Sequence, residues 1–229
     1  MIIGSFEIQK ENAIYVISNL TTCIDHPFFS RLFQSLEYFA NTSTVSSYSL
    51  CAKSIVSLDE YIQSTQFTIT SATLFLHSIY YQIQNLLENN IAISFMDLND
   101  IMVIDGDKFY FCNYNKLYNI TQHKTILVTD FYDRNNLFLP PEFIHNNMIP
   151  FSTHYTSVYY SLAIVILFCL ANSNTRSHSR VYHNCKDLML AVGQGRQQLL
   201  AVGRQHTKLY NTLTQCMIED PIGRKLFLF

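Results

Sequence analysis

The side chains that could serve nucleophilic or phosphate chemistry are few and scattered along this chain. Cys185 follows His183 by two residues, but the sequence identifies no third group that would orient the histidine for thiol activation. Gly193-Gln194-Gly195 has no third glycine and no preceding strand, so it predicts no phosphate-binding loop. The signatures of zinc proteases, serine hydrolases and P-loop nucleotide binders do not occur. The spacing of these residues therefore indicates none of these enzyme classes.

Two loop aspartates remain, in the stretch Asp97-Leu98-Asn99-Asp100 between short runs rich in β-branched and aromatic residues. Aspartates in such loops commonly form turns, because their side chains accept hydrogen bonds from nearby backbone N–H groups. Asp105-Gly106-Asp107, a little further on, has the left-handed turn chemistry of a β-hairpin. From the residues alone, turn formation is the simpler interpretation of Asp97 and Asp100.

The composition limits the class of partner and the compartment. A net charge of -2, with 14% charged residues, gives no basic face for nucleic acid. Six cysteines without C-x-x-C spacing indicate buried thiols in a reducing compartment, and residues 1–20 show no secretory signal. The absence of Trp and the excess of Asn and Ile are typical of an A+T-rich genome such as that of a large DNA virus. We therefore expect an intracellular protein, in the host cytoplasm if it is viral.

The segment 157–171 is uncharged, and its apolar and aromatic side chains cover every side of a helix. A helix that is apolar all round must be buried. A bilayer needs about 20 consecutive apolar residues, so this length favours a core helix over a membrane anchor. We expect the rest of the chain to surround this helix, and a membrane-associated structural protein anchored through 157–171 is one alternative.

Helical spacing of apolar residues predicts three further helices, over 11–24, 66–88 and 208–218. Ser57 followed three positions later by Glu60 is a capping-box signature, which predicts the start of a short helix. Short β-rich runs lie between these segments. The pattern predicts an α+β chain with a small, thin N-terminal lobe and a larger, mostly helical part.

The order of these elements and four motifs resembles the eukaryotic-type protein kinases. His26-Pro27-Phe28 is similar to the turn after the regulatory helix of the small lobe, and Pro140-Pro141-Glu142 is similar to the APE motif. Residues 158–163 stand where kinases carry D-V-W-S-L-G, and Asp220-Pro221 with Arg224 resembles the late D-P-x-x-R. The resemblance implies a kinase-like fold with a reduced N-terminal lobe at 1–56 and a C-terminal lobe at 57–229.

The resemblance also implies one specific contact, because kinases join the glutamate of the APE motif to the arginine after D-P. Here these residues are Glu142 and Arg224, which we expect to form a structural ion pair. For that contact we expect Pro140-Pro141 to hold the backbone extended before Glu142, and Pro221 to end the last helix.

The catalytic positions depart from the kinase pattern, which needs a phosphate-binding lysine, a catalytic aspartate and two metal ligands. Without gaps, the catalytic aspartate becomes Phe95 and the catalytic-loop asparagine becomes Asp100, while the DFG triplet becomes Asn113-Tyr114-Asn115. Neutral Asn113 is a poor ligand for magnesium, since it brings no charge. Only 25 residues precede His26, which leaves no room for both a glycine-rich loop and the strand that carries the phosphate-binding lysine.

These departures imply a catalytically inactive relative, a pseudokinase that serves as a binding or scaffolding module. For that reading we expect no catalytic, nucleotide-binding or metal-binding residues, no cofactor, and an unidentified protein as partner, with neither nucleic acid nor membrane. The alternative is a divergent active Ser/Thr kinase. A two-residue deletion would then bring Asp97 onto the catalytic aspartate and make Asp100 a metal ligand.

Overall fold

A computed structural model describes residues 6–11, 14–19, 39–41, 48–52, 54–146, 148–172 and 207–228. His26-Pro27-Phe28, His183, Cys185 and Gly193-Gln194-Gly195 lie outside these residues. The strands are β1 (Phe6–Glu11), β2 (Ile14–Asn19), β3 (Phe39–Asn41), β4 (Tyr48–Ala52), β5 (Ile55–Ser57), β6 (Ile91–Ile93), β7 (Ile101–Ile104), β8 (Lys108–Phe111), β9 (Leu117–Asn119), β10 (Thr125–Val128) and β11 (Phe151–His154). The helices are α1 (Leu58–Ser64), α2 (Ile69–Glu88), α3 (Pro141–His145), α4 (Ser157–Asn172) and α5 (Thr207–Cys216). Over these ranges the chain is α+β, with small antiparallel sheets.

The first four strands form one antiparallel sheet in the order β1-β2-β4-β3. The prediction of a helix over 11–24 is wrong, because residues 14–19 are strand β2, which pairs with β1 from Glu11↔Ile14 to Phe6↔Asn19. Ile14, Tyr15, Val16 and Ile17 are consecutive β-branched and aromatic residues, which favour a strand.

Helices α1 and α2 begin at clear caps. The Ser57 hydroxyl accepts the Glu60 N–H at 3.2 Å, and the Glu60 carboxylate accepts the Ser57 N–H at 3.1 Å, so the predicted capping box is confirmed. The Thr68 hydroxyl caps α2 by accepting the Ser71 N–H at 3.1 Å. Helix α2 matches the predicted helix at 66–88 and packs its apolar face into the main core.

Strands β5, β7 and β8 form a three-stranded sheet in that order. The β7–β8 hairpin turns at Asp105 and Gly106, whose φ angles of 53° and 83° are left-handed, as the Asp-Gly turn predicted. Strand β5 pairs with β7 from Ile55↔Ile104 to Ser57↔Met102. The predicted domain boundary after residue 56 falls inside β5, and the division into two lobes stays a prediction.

The outer edge of β8 is covered by one side chain of α2. Gln82 donates from Nε2 to the Phe109 carbonyl at 2.9 Å, and its Oε1 accepts the Phe111 N–H at 2.9 Å. Gln82 is itself buried. The amide therefore hydrogen-bonds β8 at the same groups that a neighbouring strand would use.

Helix α4 is the centre of the main core. All of its residues from 161 to 171 are buried, and Leu162, Val165, Ile166 and Leu167 have no exposed surface. It contacts both α2 and α5. The predicted central helix is confirmed. Among the residues that the structure describes, none of the helices has the combination of length and apolar character needed to cross a bilayer.

Two proline predictions need correction. Pro140 is extended, with ψ of 155°, but Pro141 is the first residue of α3, so Glu142 is helical. Proline suits this position because its missing N–H would have no intrahelical partner there. Helix α5 ends at Cys216, well before Pro221, which instead begins a 3-10 turn capped by the Asp220 carboxylate.

Candidate functional site

Phe95, at the gapless position of the catalytic aspartate, is a core residue. Its ring is 5% exposed and packs edge-to-face against Phe143 at 5.3 Å and Tyr132 at 6.0 Å between ring centroids. It lies in a second apolar cluster that also holds Ile126 and Val128 of β10. An aromatic ring in this environment has no proton-accepting role.

Asp97 and Asp100 cap the 3-10 turn Leu98–Asp100. The Asp97 Oδ1 accepts the Asn99 N–H at 2.9 Å, and the Asp100 Oδ2 accepts the Asp97 N–H at 2.7 Å. The turn-forming interpretation of the two aspartates is therefore confirmed. The same geometry holds both carboxylates on one side of the turn, where they can share a third group.

That third group is Lys116, which sequence reasoning did not find. Its Nζ lies 3.0 Å from Asp97 Oδ2 and 2.6 Å from Asp100 Oδ2, and 3.9 Å from the centroid of the Phe95 ring. Pairing of β6 with β9, and a 2.9 Å hydrogen bond from the Ser94 N–H to the Lys116 carbonyl, bring the lysine beside the turn. The sequence feature that could have identified Lys116 is its position directly after Asn113-Tyr114-Asn115.

Two asparagines complete the site. Asn113 Nδ2 donates to Asp100 Oδ1 at 2.7 Å, and Asn136 Nδ2 donates to Asp97 Oδ2 at 2.9 Å. The Cys112 N–H, just before Asn113, donates to the Asp100 carbonyl at 2.8 Å, which fixes the end of β8 beside the turn. Asn136 joins a third segment of the chain to the site.

Of the triplet aligned with DFG, only Asn113 reaches the two aspartates by a described side-chain contact. Tyr114 begins the 3-10 turn Tyr114–Lys116. Asn115 is exposed, and its N–H donates to Asn113 Oδ1 at 3.2 Å. The triplet therefore serves mainly to shape the turn that delivers Lys116.

Every carboxylate oxygen of Asp97 and Asp100 accepts at least one hydrogen bond within this site. The Asp100 side chain is 3% exposed and that of Asp97 is 16% exposed. Burial raises the pKa of the Asp100 carboxyl, and the charge of Asp97 acts in the same direction, while Lys116 and the Asn113 amide oppose the shift. The site holds two carboxylates and one ammonium, hence one net negative charge if all are ionised.

The donor set does not fit a catalytic magnesium ion. An ion between Asp97 and Asp100 would have to displace the Lys116 ammonium, and Asn113 brings no charge. Within the described ranges, no group of three or more His, Cys, Asp and Glu side chains is arranged to hold a metal ion.

The ion pair expected between Glu142 and Arg224 is present. Nη1 and Nη2 of Arg224 donate to the two carboxylate oxygens of Glu142, each at 2.7 Å. Phe143, the next residue of α3, packs on Phe95. The pair therefore anchors the helix that supports one side of the site.

Comparison with known proteins adds no family name. A scan against protein-family models finds no match to the chain, and a search of curated proteins finds none either. The kinase resemblance stays a prediction.

Proposed function

We propose that this chain is a catalytically inactive protein of the kinase type, a pseudokinase that works by binding a protein partner. The observation that carries the proposal is the Lys116 ammonium, held between Asp97 and Asp100 at 3.0 and 2.6 Å. A carboxylate pair that already holds a lysine ammonium is poorly suited to bind a catalytic metal ion.

Support for the kinase type comes from residues that the kinase motifs predict to be in contact or in a given order. Glu142 and Arg224 are 82 residues apart, and their contact has no origin in local sequence. The β7–β8 hairpin leads directly from Asp100 to Asn113, the order that the alignment requires, and α4 is buried as the central helix. These features are the support for the kinase type.

Support for inactivity comes from the state of each aligned catalytic group. Phe95 is a core aromatic residue, and Asn113 is neutral and hydrogen-bonded to Asp100. Phosphoryl transfer relies on positioned metal ions and a group that accepts or orients the nucleophile's proton. At the aligned positions, the described residues supply neither.

The active alternative has one observation in its favour. Asp97 is the more exposed of the two carboxylates, at 16% against 3% for Asp100, so a hydroxyl substrate could approach it. This alternative requires a metal-binding arrangement that the Lys116 contact opposes.

A binding role is supported by three exposed apolar side chains, one of which lies on α3. Phe131 is 96% exposed, Met148 is 79% exposed and Ile144 is 58% exposed. Large apolar side chains that remain in water are typical of protein-binding surfaces when they lie together. We propose that the partner contacts one or more of these three side chains.

The test is thermal unfolding with and without millimolar ATP and MgCl₂, together with a transfer assay using γ-labelled ATP. A nucleotide at 100 times its Kd would stabilise the fold by about 2.7 kcal/mol. In a chain of this size that would raise Tm by roughly 5 to 11 °C. We expect no shift and no transfer. Phosphate transfer by the wild type would establish the active alternative if Asp97→Asn abolished it. The control Asp107→Asn, at an exposed turn position, should then retain transfer.

A further inference from the structure

We propose that residues 130–136 form a preformed recognition loop, and that the ring of Phe131 is the group of this loop that enters an apolar pocket of a protein partner. The inference rests on the proposed function, because it concerns a chain that works by binding. It goes further by choosing Phe131 from the three exposed apolar side chains and by stating the chemistry of the partner surface.

The ring of Phe131 is 96% exposed, more than any other large apolar side chain that the structure describes. Single exposed apolar side chains are common on protein surfaces. Phe131 differs from such a residue because the side chains immediately before and after it are both bound to the fold.

Asp130 and Tyr132 fix the chain on the two sides of Phe131. Asp130 Oδ2 accepts the hydroxyl of Tyr118, on β9, at 3.0 Å. The Tyr132 ring packs in the second apolar cluster, with its centroid 5.2 Å from that of Phe143, and its hydroxyl donates to the Phe143 carbonyl at 2.9 Å. The Phe131 ring is therefore held at a defined place while it remains in water.

The far end of the recognition loop is tied to the acidic turn by Asn136. Its Nδ2 donates to Asp97 Oδ2 at 2.9 Å, and its Oδ1 accepts the Phe138 N–H at 2.9 Å. Within the loop, the N–H groups of Asn135 and Asn136 donate to the side chain and the carbonyl of Asp133, at 2.9 and 3.0 Å. A loop that is already ordered loses less conformational freedom on binding, so more of the contact energy appears as affinity.

The residues near Phe131 in the chain indicate the kind of partner. Several of them are polar and exposed, namely Thr129, Asp130, Asp133, Arg134 and Asn135. An aromatic group inside a polar rim is the usual anatomy at the centre of a protein interface. A stable dimer of this chain would bury about 800 Å² on each copy, and one ring among polar side chains does not offer an apolar area of that size. We therefore assign the pocket to a different protein.

The charge of the recognition loop adds to the description of that pocket. The loop carries two carboxylates, Asp130 and Asp133, and one guanidinium, Arg134, so it has one net negative charge when all three are ionised. Opposite charges across an interface favour the encounter of the two partners. The expected pocket is apolar at its floor and basic at its rim.

The first experiment measures affinity for an identified partner. The full chain is used to capture proteins from an extract of its native cells, and the captured protein is identified by mass spectrometry, purified and titrated against the full chain. Phe131→Ala should raise the Kd about 30-fold or more, because truncation of a central interface residue commonly has an effect of this size. Ile222→Ala is the matched control, at a side chain that is 73% exposed in the C-terminal turn, and should change the Kd less than about twofold.

Two further measurements separate recognition from other causes. Phe131→Ala should melt within about 2 °C of the wild type, because an exposed ring contributes little to stability. The Kd of the wild type should rise as NaCl is raised from about 0.05 to 0.5 M, because salt screens the attraction between the loop and a basic rim. A Kd that is independent of salt would contradict the basic rim.

The second experiment needs no partner. Trypsin cleaves after arginine, so cleavage after Arg134 reports opening of the recognition loop. Asn136→Leu keeps the size of the side chain but removes its amide, and it should speed this cleavage about tenfold because a hydrogen bond to a charged group is lost. Asn135→Leu is the control, since exposed Asn135 contributes its backbone N–H to the loop. Equal cleavage of the two variants would contradict a loop held by Asn136.

Three results would overturn the inference. One is a partner that binds the wild type and Phe131→Ala equally well. Another is an extract from which the wild type captures no protein that Phe131→Ala fails to capture, and the third is self-association of the wild type that Phe131→Ala abolishes. The first result leaves the pseudokinase proposal standing, because the chain would still bind a protein. Phosphate transfer by the wild type would contradict that proposal and would not alter these measurements.

Discussion

Glu142 and Arg224 form a two-point ion pair in which both guanidinium Nη atoms meet a carboxylate oxygen at 2.7 Å. Two further hydrogen bonds of Arg224 are to backbone: Nε donates to the Ile218 carbonyl at 2.7 Å, and Nη2 donates to the Glu219 carbonyl at 2.8 Å. Its guanidinium carbon also lies 5.2 Å from the centroid of the Tyr160 ring. The Arg224 side chain is fully buried, whereas that of Glu142 is 12% exposed. One arginine therefore holds α3 and the C-terminal turn together.

Loss of the Glu142 carboxylate should destabilise the fold strongly, because it leaves a buried guanidinium without its counter-charge. Glu142→Gln is expected to lower the free energy of unfolding by about 3 to 5 kcal/mol. Urea denaturation measures it, with Glu219→Gln as control, since Glu219 is exposed and contacts Arg224 through its backbone carbonyl. A loss below about 1 kcal/mol would match a solvated surface pair and contradict the buried one.

Leu167 lies in the middle of α4 with no exposed surface. Leu167→Ala should lower the free energy of unfolding by about 2 to 5 kcal/mol, because it removes buried methyl groups and leaves a cavity. Leu74 of α2 is 43% exposed and provides the matched Leu→Ala control. Equal midpoints for the two variants in urea would show that α4 is not the core helix.

Gln82 satisfies two backbone groups of β8 with one amide. Gln82→Leu should strand the Phe109 carbonyl and the Phe111 N–H in the core, and each unsatisfied group costs about 1 to 3 kcal/mol. The same change at exposed Gln122 is the control and should stay within about 0.5 kcal/mol of wild type. Amide hydrogen exchange should show faster exchange of Phe111 N–H in the Gln82 variant, and unchanged exchange there would contradict this role.

His154 should make the fold sensitive to mild acid. The Thr156 hydroxyl donates to the Pro221 carbonyl, so its hydrogen bond with His154 Nδ1, at 2.8 Å, must have the ring as donor. Burial lowers the pKa of His154 below its usual 6.5, and Lys124 and Arg224 act in the same direction against Asp220. The unfolded state then takes up the proton first, so stability should fall as pH drops below about 6.5.

Urea midpoints at pH 7, 6 and 5 measure this effect. His154→Asn, whose amide can still donate to Thr156, should show a smaller decline over that range than the wild type. His145→Asn is the control, because His145 is exposed at the end of α3. Identical declines for wild type and His154→Asn would assign the acid sensitivity to other groups.

Local patterns predicted the elements whose causes are local. The Ser57–Glu60 capping box, the Asp105-Gly106 hairpin and the all-apolar α4 each depend on residues a few positions apart. The segment 14–19 shows the limit of this reasoning, since its apolar residues fit a helix as well as a strand. Pairing with β1 decides between them, and pairing is not a local property.

The contacts of the site are harder to predict from the sequence than the helices and strands. The motif alignment identifies Asp97, Asp100 and Asn113, but the two carboxylates are paired with Lys116, whose position depends on the register of β6 against β9. Asn136 joins the site across 39 positions. No spacing rule predicts contacts of this kind. The Glu142–Arg224 pair could be anticipated only because the family resemblance supplied a long-range relation.

The amide of Gln82 also bears on how copies of this protein behave towards each other. An edge strand with unpaired backbone groups is a template on which another chain can add a strand, and this is a common start of aggregation. At β8 those groups are occupied by a side chain of the same molecule. A change that empties this position leaves those groups unpaired beneath α2, so any local opening that separates α2 from β8 would expose an edge to which another chain could add a strand. We therefore expect such a change to promote aggregation as well as to lower stability.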